Sequence, residues 1–252
     1  MRIAFCLLVL ALCGCRSIST IRAPETLAGN RGYIYGGPRV VMVATALTPA
    51  EEAAQVATND FNAQVLAAQS LAFVAENDSQ TDKRRDAAKR GIVAARRARE
   101  LKPDRVEGHY WYAINVGFLA DVDRAYGLDA VAEMEPALKR AGEIDERYDY
   151  AGPLRVLGVL LLRTPQPPVS IGSPRKGLRL LQRAVERFPD YPENYLYLGE
   201  ALREAGRDDE AKAAWRKVLE LPAPADRQVE VVQWKRDARK FLDGNANTGS
   251  PR

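Results

Sequence analysis

Residues 192–222 read PENYLYLGEALREAGRDDEAKAAWRKVLELP, and this stretch decides the fold. Asp190, just before this stretch, is a helix start signal and Gly206 suits the end of a helix, so the stretch predicts two helices joined by a short turn. Small Ala211 would let the two helices approach closely, and Trp215 would fill the space between them. The pattern therefore predicts a helical hairpin.

The same stretch resembles a tetratricopeptide repeat, a family built from stacked helical hairpins. The residues that match the spacing of the family are Tyr195, Leu198, Gly199, Leu202, Ala211, Trp215, Val218 and Pro222. The pattern of the second helix recurs upstream at Gly177, Leu181, Ala184 and Pro189, and again at Gly91, Ala95, Ala98 and Pro103. The alternative is an irregular helical bundle with one accidental match. Because the prolines recur in phase, the resemblance implies a solenoid.

Helical periodicity predicts an all-α chain of about eight to nine helices with irregular loops. The expected helices span about 49–76, 82–103, 105–121, 127–143, 150–163, 174–188, 192–205, 208–221 and 226–242. Two connections, 121–128 and 163–173, are long for this family. We expect residues 48–243 to form the helical domain and residues 244–252 to be a disordered tail.

The first fifteen residues have the pattern of an export signal. Arg2 precedes an apolar run of about ten residues, half the length of a membrane-spanning helix. The run ends in Leu12-Cys13-Gly14-Cys15, which resembles the lipobox of bacterial lipoprotein precursors. The resemblance implies that residues 1–14 are removed as a signal peptide and that Cys15 receives lipid, palmitate included. A short buried helix or an uncleaved anchor is the alternative.

The residues after Cys15 indicate where the protein would be held. Arg16 and Ser17 stand where an inner-membrane lipoprotein would have Asp, which implies the periplasmic face of the outer membrane of a Gram-negative cell. Residues 15–47 contain many Gly and Pro and little periodicity, so they predict a linker beyond the lipid-bearing Cys15. Packing of Tyr33 and Tyr35 on the domain remains the alternative.

The composition argues against catalysis and against metal or cofactor binding. All three cysteines lie within the first fifteen residues, and the chain has one histidine, His109. His109 falls at a core position of the repeat, where we expect a packed and hydrogen-bonded side chain. The net charge of +4 is modest, and the mean hydropathy is −0.30. We therefore expect a non-enzymatic protein without a cofactor, a metal or a nucleic-acid partner.

Two groups of residues are candidates for binding a partner. The helix at 82–103 has a basic flank, for which a solvated outer face is the default interpretation; the functional interpretation is a surface for an acidic partner or anionic lipid head groups. It consists of Arg85, Lys89, Arg96 and Arg99. Tyr110 and Trp111 could wall an apolar pocket, and Tyr110 lies on the groove side of the repeat. Core packing is the alternative for these two rings.

These observations favour an envelope scaffold that binds another envelope protein through the groove. A second hypothesis follows from a weaker resemblance to the T-component of TRAP transporters. The resemblance lies in the predicted envelope location, the size and the irregular repeats. That resemblance implies a small apolar solute, a substrate-binding partner and oligomers. A third hypothesis is a lipoprotein of outer-membrane or cell-wall assembly.

Overall fold

The computed structural model describes Ala54 and residues 58–246 of the chain. The expected signal peptide, Cys15, the expected linker and residues 247–252 lie outside the described residues. Within them the chain forms nine α-helices and one 3₁₀ turn, Arg124–Tyr126. The helices are α1 Phe61–Asn77, α2 Thr81–Leu101, α3 Val106–Val122, α4 Gly127–Asp145, α5 Tyr148–Arg163, α6 Pro174–Arg187, α7 Pro192–Glu204, α8 Asp208–Glu220 and α9 Gln228–Ala246.

The helices pack as four successive hairpins followed by a last helix. The hairpins are α1–α2, α3–α4, α5–α6 and α7–α8, and α9 packs against both helices of the fourth. The second helix of each hairpin also contacts the first helix of the next one, and the first helices contact each other in series. The stacked hairpins confirm the predicted all-α solenoid, since each hairpin completes its core only against its neighbours.

Close approach within a hairpin depends on small residues. A Cβ on Gly199 would lie 2.3 Å from Nε1 of Trp215, whose ring is fully buried and donates to the carbonyl oxygen of Leu196 at 3.1 Å. Ala211 is also fully buried. In the third hairpin a Cβ on Gly158 would lie 2.9 Å from Leu181. The small residues therefore do what the repeat pattern predicts.

Some predicted boundaries are wrong. The helix expected over 49–76 is interrupted by a turn at 58–59, and Asp60 starts α1 by accepting from the backbone N–H groups of Asn62 and Ala63 at 2.8 and 3.1 Å. The helix expected over 82–103 runs from Thr81 to Leu101, with Gln80 at its N-cap position. The expected long connection at 121–128 shortens to residues 123–126, of which 124–126 form the 3₁₀ turn, and the last helix, expected to end near 242, runs to Ala246.

None of the described helices is both long and apolar enough to cross a bilayer.

Candidate interaction surfaces

The first helices of the hairpins, α1, α3, α5 and α7, form one continuous face, which we call the groove face. The repeat pattern assigns four side chains on α3 and α7 to it, and they differ in accessibility. Tyr110 and Leu196 are buried, whereas Ile114 and Glu200 are half-buried. Glu200 forms a salt bridge to Arg163 of α5 at 2.6 Å. Ile114 and Glu200 are therefore the groove-side positions of this set that a partner could touch.

A left-handed turn at the start of α5 covers part of this face. Asp149, Tyr150 and Ala151 have φ angles of 48°, 55° and 65°, and none of them is glycine. A left-handed conformation costs an L-residue about 1–2 kcal/mol, or about 3–6 kcal/mol for three. Such a turn persists only when surrounding contacts hold it.

The carboxylate of Asp149 supplies the first set of these contacts. It accepts a hydrogen bond from the hydroxyl of Tyr110 at 2.5 Å and from Nη2 of Arg227 at 2.7 Å. Arg155 lies 3.4 Å away. The two guanidinium side chains are each 4% exposed. Because Arg227 precedes α9, one carboxylate joins three distant parts of the solenoid.

Arg155 supplies the second set of contacts. Its Nη1 donates to the carbonyl oxygens of Asp149 and Tyr150 at 3.3 and 3.1 Å, and to Oδ1 of Asn194 at 3.1 Å. Its Nε lies 3.1 Å from the carboxylate of Glu193. Burial, the largest single influence, lowers the pKa of Arg155, but the surrounding acidic groups, Glu193 foremost, together outweigh burial and the pKa is raised. The guanidinium therefore stays charged while it caps the strained carbonyl groups.

Tyr150 extends the network towards the C-terminal end. Its ring stacks on Tyr191 with the centroids 4.2 Å apart, and its hydroxyl donates to Asp226 at 2.8 Å. Burial, followed by the hydrogen bond to Asp226, raises the pKa of Tyr150 to about 12. The hydroxyl therefore remains a donor throughout the physiological pH range.

Tyr110 and Trp111 do not wall an open pocket. They are 1% and 3% exposed, and Trp111 donates to the hydroxyl of Tyr148 at 2.9 Å. Tyr110 fits under the turn because Gly152 has no Cβ, which would lie 2.6 Å from the tyrosine oxygen. Core packing therefore holds for both rings, and they are not candidates for binding a partner, since residues 149–152 cover Tyr110 and both side chains are buried.

The four residues of the predicted basic flank all lie on α2, but they differ in their surroundings. Arg85 pairs with Asp82 at 2.6 Å and donates to the carbonyl oxygen of Val122 at 3.3 Å. Arg96 and Arg99 lie over the ring of Tyr112, 6.0 and 4.6 Å from its centroid. Lys89 is exposed. Part of the flank is thus turned towards α3, and the accessible part is Lys89 and Arg96.

Glu133 and His109 are polar side chains that form hydrogen bonds in the interior of the solenoid. Glu133 of α4 accepts hydrogen bonds from the hydroxyls of Tyr112 and Tyr126, and burial first, then Glu133, raises both tyrosine pKa values.

His109 is buried with Nε2 2.9 Å from the carbonyl oxygen of Pro103, and burial lowers its pKa. The predicted core role of His109 is therefore confirmed. Among the described residues, no group of His, Cys, Asp or Glu could hold a metal ion.

Sequence reasoning missed Asp149, Arg155, Asn194 and Arg227. One local signal was present, because Arg155 is a single charge in the otherwise apolar run from 151 to 162. A charge that must be buried in such a helix needs a partner. The sequence does not show that this partner lies on a left-handed turn six residues earlier.

One solved structure supports the architecture. No protein-family model and no curated protein sequence matches the chain. Among solved structures, it is similar to TTC0263, a thermophilic TPR protein of Thermus thermophilus, with a TM-score of 0.58 and 21% identity over 77% of this chain and 89% of that one.

Two further solved structures are less similar. YrrB, a TPR protein with an unusual peptide-binding site, has a TM-score of 0.46 and 18% identity over 79% of this chain and 91% of its own. MamA has a TM-score of 0.45 and 13% identity over 80% and 90%. The likeness to TTC0263, together with the stacked hairpins, shows that this chain has the helical-hairpin solenoid fold of tetratricopeptide proteins.

Proposed function

We propose that the protein is a non-enzymatic interaction scaffold of the bacterial envelope. A lipid on Cys15 holds it at the periplasmic face of the outer membrane, and its groove face binds another envelope protein. The observation that carries the proposal is the continuous face built by α1, α3, α5 and α7. A solenoid offers an extended binding surface because each repeat adds one helix to the same side.

The accessible part of this face suggests where the partner docks. Ile114 on α3 offers an apolar contact, and Glu200 with Arg163 offers a polar pair on α7 and α5. The turn at 149–151 and its buried network hold these helices in fixed relative positions. A rigid surface of mixed apolar and charged character suits a folded protein partner, since little ordering entropy is lost when it binds.

Substitutions on the groove face test the proposal. Ile114→Arg and Glu200→Arg should each reduce the recovery of a protein partner from envelope extracts, by about tenfold when the position is central to the interface. Ala213→Arg is the control, because Ala213 is exposed on α8, the second helix of the fourth hairpin. If all three variants capture the same proteins as the parent chain, the groove face is not the binding surface.

A further inference from the structure

The positive charge of the protein is concentrated on α2. Residues 81–102 contain nine Lys or Arg and three Asp or Glu, a net charge of +6. The whole chain carries +4, so the remainder sums to −2. The helix therefore dominates the electrostatic character of the side on which it lies.

Internal contacts use only some of these cations. Arg84 pairs with Asp121, Arg85 with Asp82, Arg90 with Asp86 and Arg97 with Glu100. Within the described ranges, three exposed cations of α2 form no salt bridge: Lys83, Lys89 and Arg96. Val93, an exposed apolar residue, lies one helical turn from both Lys89 and Arg96. This surface combines free positive charge with an apolar centre.

The chain also enters the described body beside α2. Arg97 donates to the carbonyl oxygen of Thr58 at 2.9 Å and to Oδ1 of Asn59 at 2.6 Å. Ahead of Thr58, Ala54 is already buried in the body, where its carbonyl oxygen accepts a hydrogen bond from Gln64 of α1 at 2.7 Å. The connection from Cys15 to Ala54 therefore has 38 residues, from 16 to 53, and could span at most about 140 Å when fully extended.

We propose that the exposed face of α2 docks on anionic phospholipid head groups, so that the anchored solenoid lies with α2 towards the bilayer. This proposal rests on lipid attachment at Cys15, which places the surface within reach of a membrane. A tethered surface needs little affinity, because the tether keeps its effective concentration high. Each cation near an anionic bilayer strengthens the association about fivefold. A bilayer is favoured over an acidic protein because lipid attachment at Cys15 would keep α2 within reach of the head groups.

The orientation can be measured with a single fluorescent label. The sequence has no cysteine after Cys15, so Val93→Cys provides a unique labelling site in the lipidated full-length protein. Ala213→Cys on α8 provides a second exposed site as the control. Each protein is reconstituted into vesicles of phosphatidylcholine alone or mixed with phosphatidylglycerol, and energy transfer to a lipid-borne acceptor is recorded. We expect strong transfer from position 93 only with phosphatidylglycerol, with loss in high salt and weak transfer from position 213.

A charge-matched pair of variants separates α2 from general charge. Neutralising Lys83, Lys89 and Arg96 to Gln should weaken the docked state roughly 100-fold, whereas neutralising Arg175, Lys176 and Arg179 on α6 should not. Equal effects of the two triple variants, or equal transfer in both vesicles, would overturn the proposal. If the α2 triple variant keeps its energy transfer but no longer captures an acidic protein from envelope extracts, the surface binds that protein instead of lipid. A chain that stays with neither vesicle would overturn the lipid anchor, and this proposal with it, but not binding at the groove face.

Discussion

At the scale of single residues, the carboxylate of Asp149 connects side chains from three separate parts of the solenoid. It has a left-handed backbone conformation, and its carboxylate meets Tyr110, Arg155 and Arg227. These partners come from α3, α5 and the residue before α9, so Asp149 connects the first half of the chain to the last. The turn is strained, and the hydrogen bonds and ion pairs of its side chain and carbonyl groups offset that strain.

Removal of this carboxylate should be costly. Asp149→Ala leaves two buried guanidinium groups without their shared partner, and breaking a buried ion pair typically costs about 3–5 kcal/mol. Thermal unfolding should show a midpoint roughly 10 °C lower than that of the parent chain. Asp104→Ala, at an exposed turn, should shift the midpoint by little. A small effect at both positions would show that the network does not stabilise the fold.

The left-handed backbone itself can be tested at Ala151. Glycine adopts this conformation without the steric cost that alanine has, so Ala151→Gly relieves strain while it loses one buried methyl group. We expect almost no change in the free energy of unfolding. Ala213→Gly, at an exposed position within α8, should cost about 1 kcal/mol. Chemical denaturation compares the two, and an equal loss would mean that Ala151 is not strained.

At the scale of helices, local signals decide what the sequence can predict. The expected helices at 192–205 and 208–221 match α7 and α8 to within one residue, because Pro192 and Gly206 fix their ends locally. The left-handed turn was not predictable, since Arg227, which helps to hold it, lies 78 residues from Asp149. The spacing of the basic residues predicted that they share one helix, but it could not show that Arg85 and Arg99 contact Val122 and Tyr112 of α3.

The packing of the fourth hairpin gives a sharp prediction. Ala211 faces α7 and is fully buried, so Ala211→Leu forces three extra carbons into a close crossing at a cost of about 1–3 kcal/mol. The thermal midpoint should fall by about 2–4 °C per kcal/mol for a domain of this size. Ala213→Leu is the matched control. Ala213 is exposed on the same helix, so an added leucine side chain there meets solvent. Similar midpoints for the two alanine variants would mean that α8 is rotated from its position here.

At the scale of the whole molecule, the protein combines a described solenoid with a proposed anchor that lies outside the described residues. In the solenoid, the first helices of the hairpins form the groove face, whereas the basic surface lies on α2, which is the second helix of the first hairpin. Lipid attachment at Cys15 would let both surfaces act together, since one would meet the bilayer while the other remains free for a protein. The sequence predicted the architecture because the repeat is periodic, but it could not predict which groove positions are covered.

The anchor has a direct cellular test. Cys15→Ala removes the thiol that the lipobox would acylate, so the precursor should accumulate unprocessed and lose its lipid. Cys13→Ala is the control, because alanine is usual two residues before the acylated cysteine and processing should continue. Metabolic labelling with a fatty acid, followed by fractionation of the envelope, distinguishes the variants. Normal labelling and membrane sedimentation of Cys15→Ala would contradict the lipoprotein proposal.

Photo-crosslinking in living cells tests the central claim, a partner on the groove face, most directly. A photoreactive amino acid is placed at Ile114 or Glu200 on the groove face, and at Val93 or Ala213 as accessible positions elsewhere. We predict that positions 114 and 200 crosslink to the same envelope protein and that positions 93 and 213 do not. Crosslinks to a shared protein from 93 and 213 alone, with none from 114 or 200, would contradict a partner on the groove face.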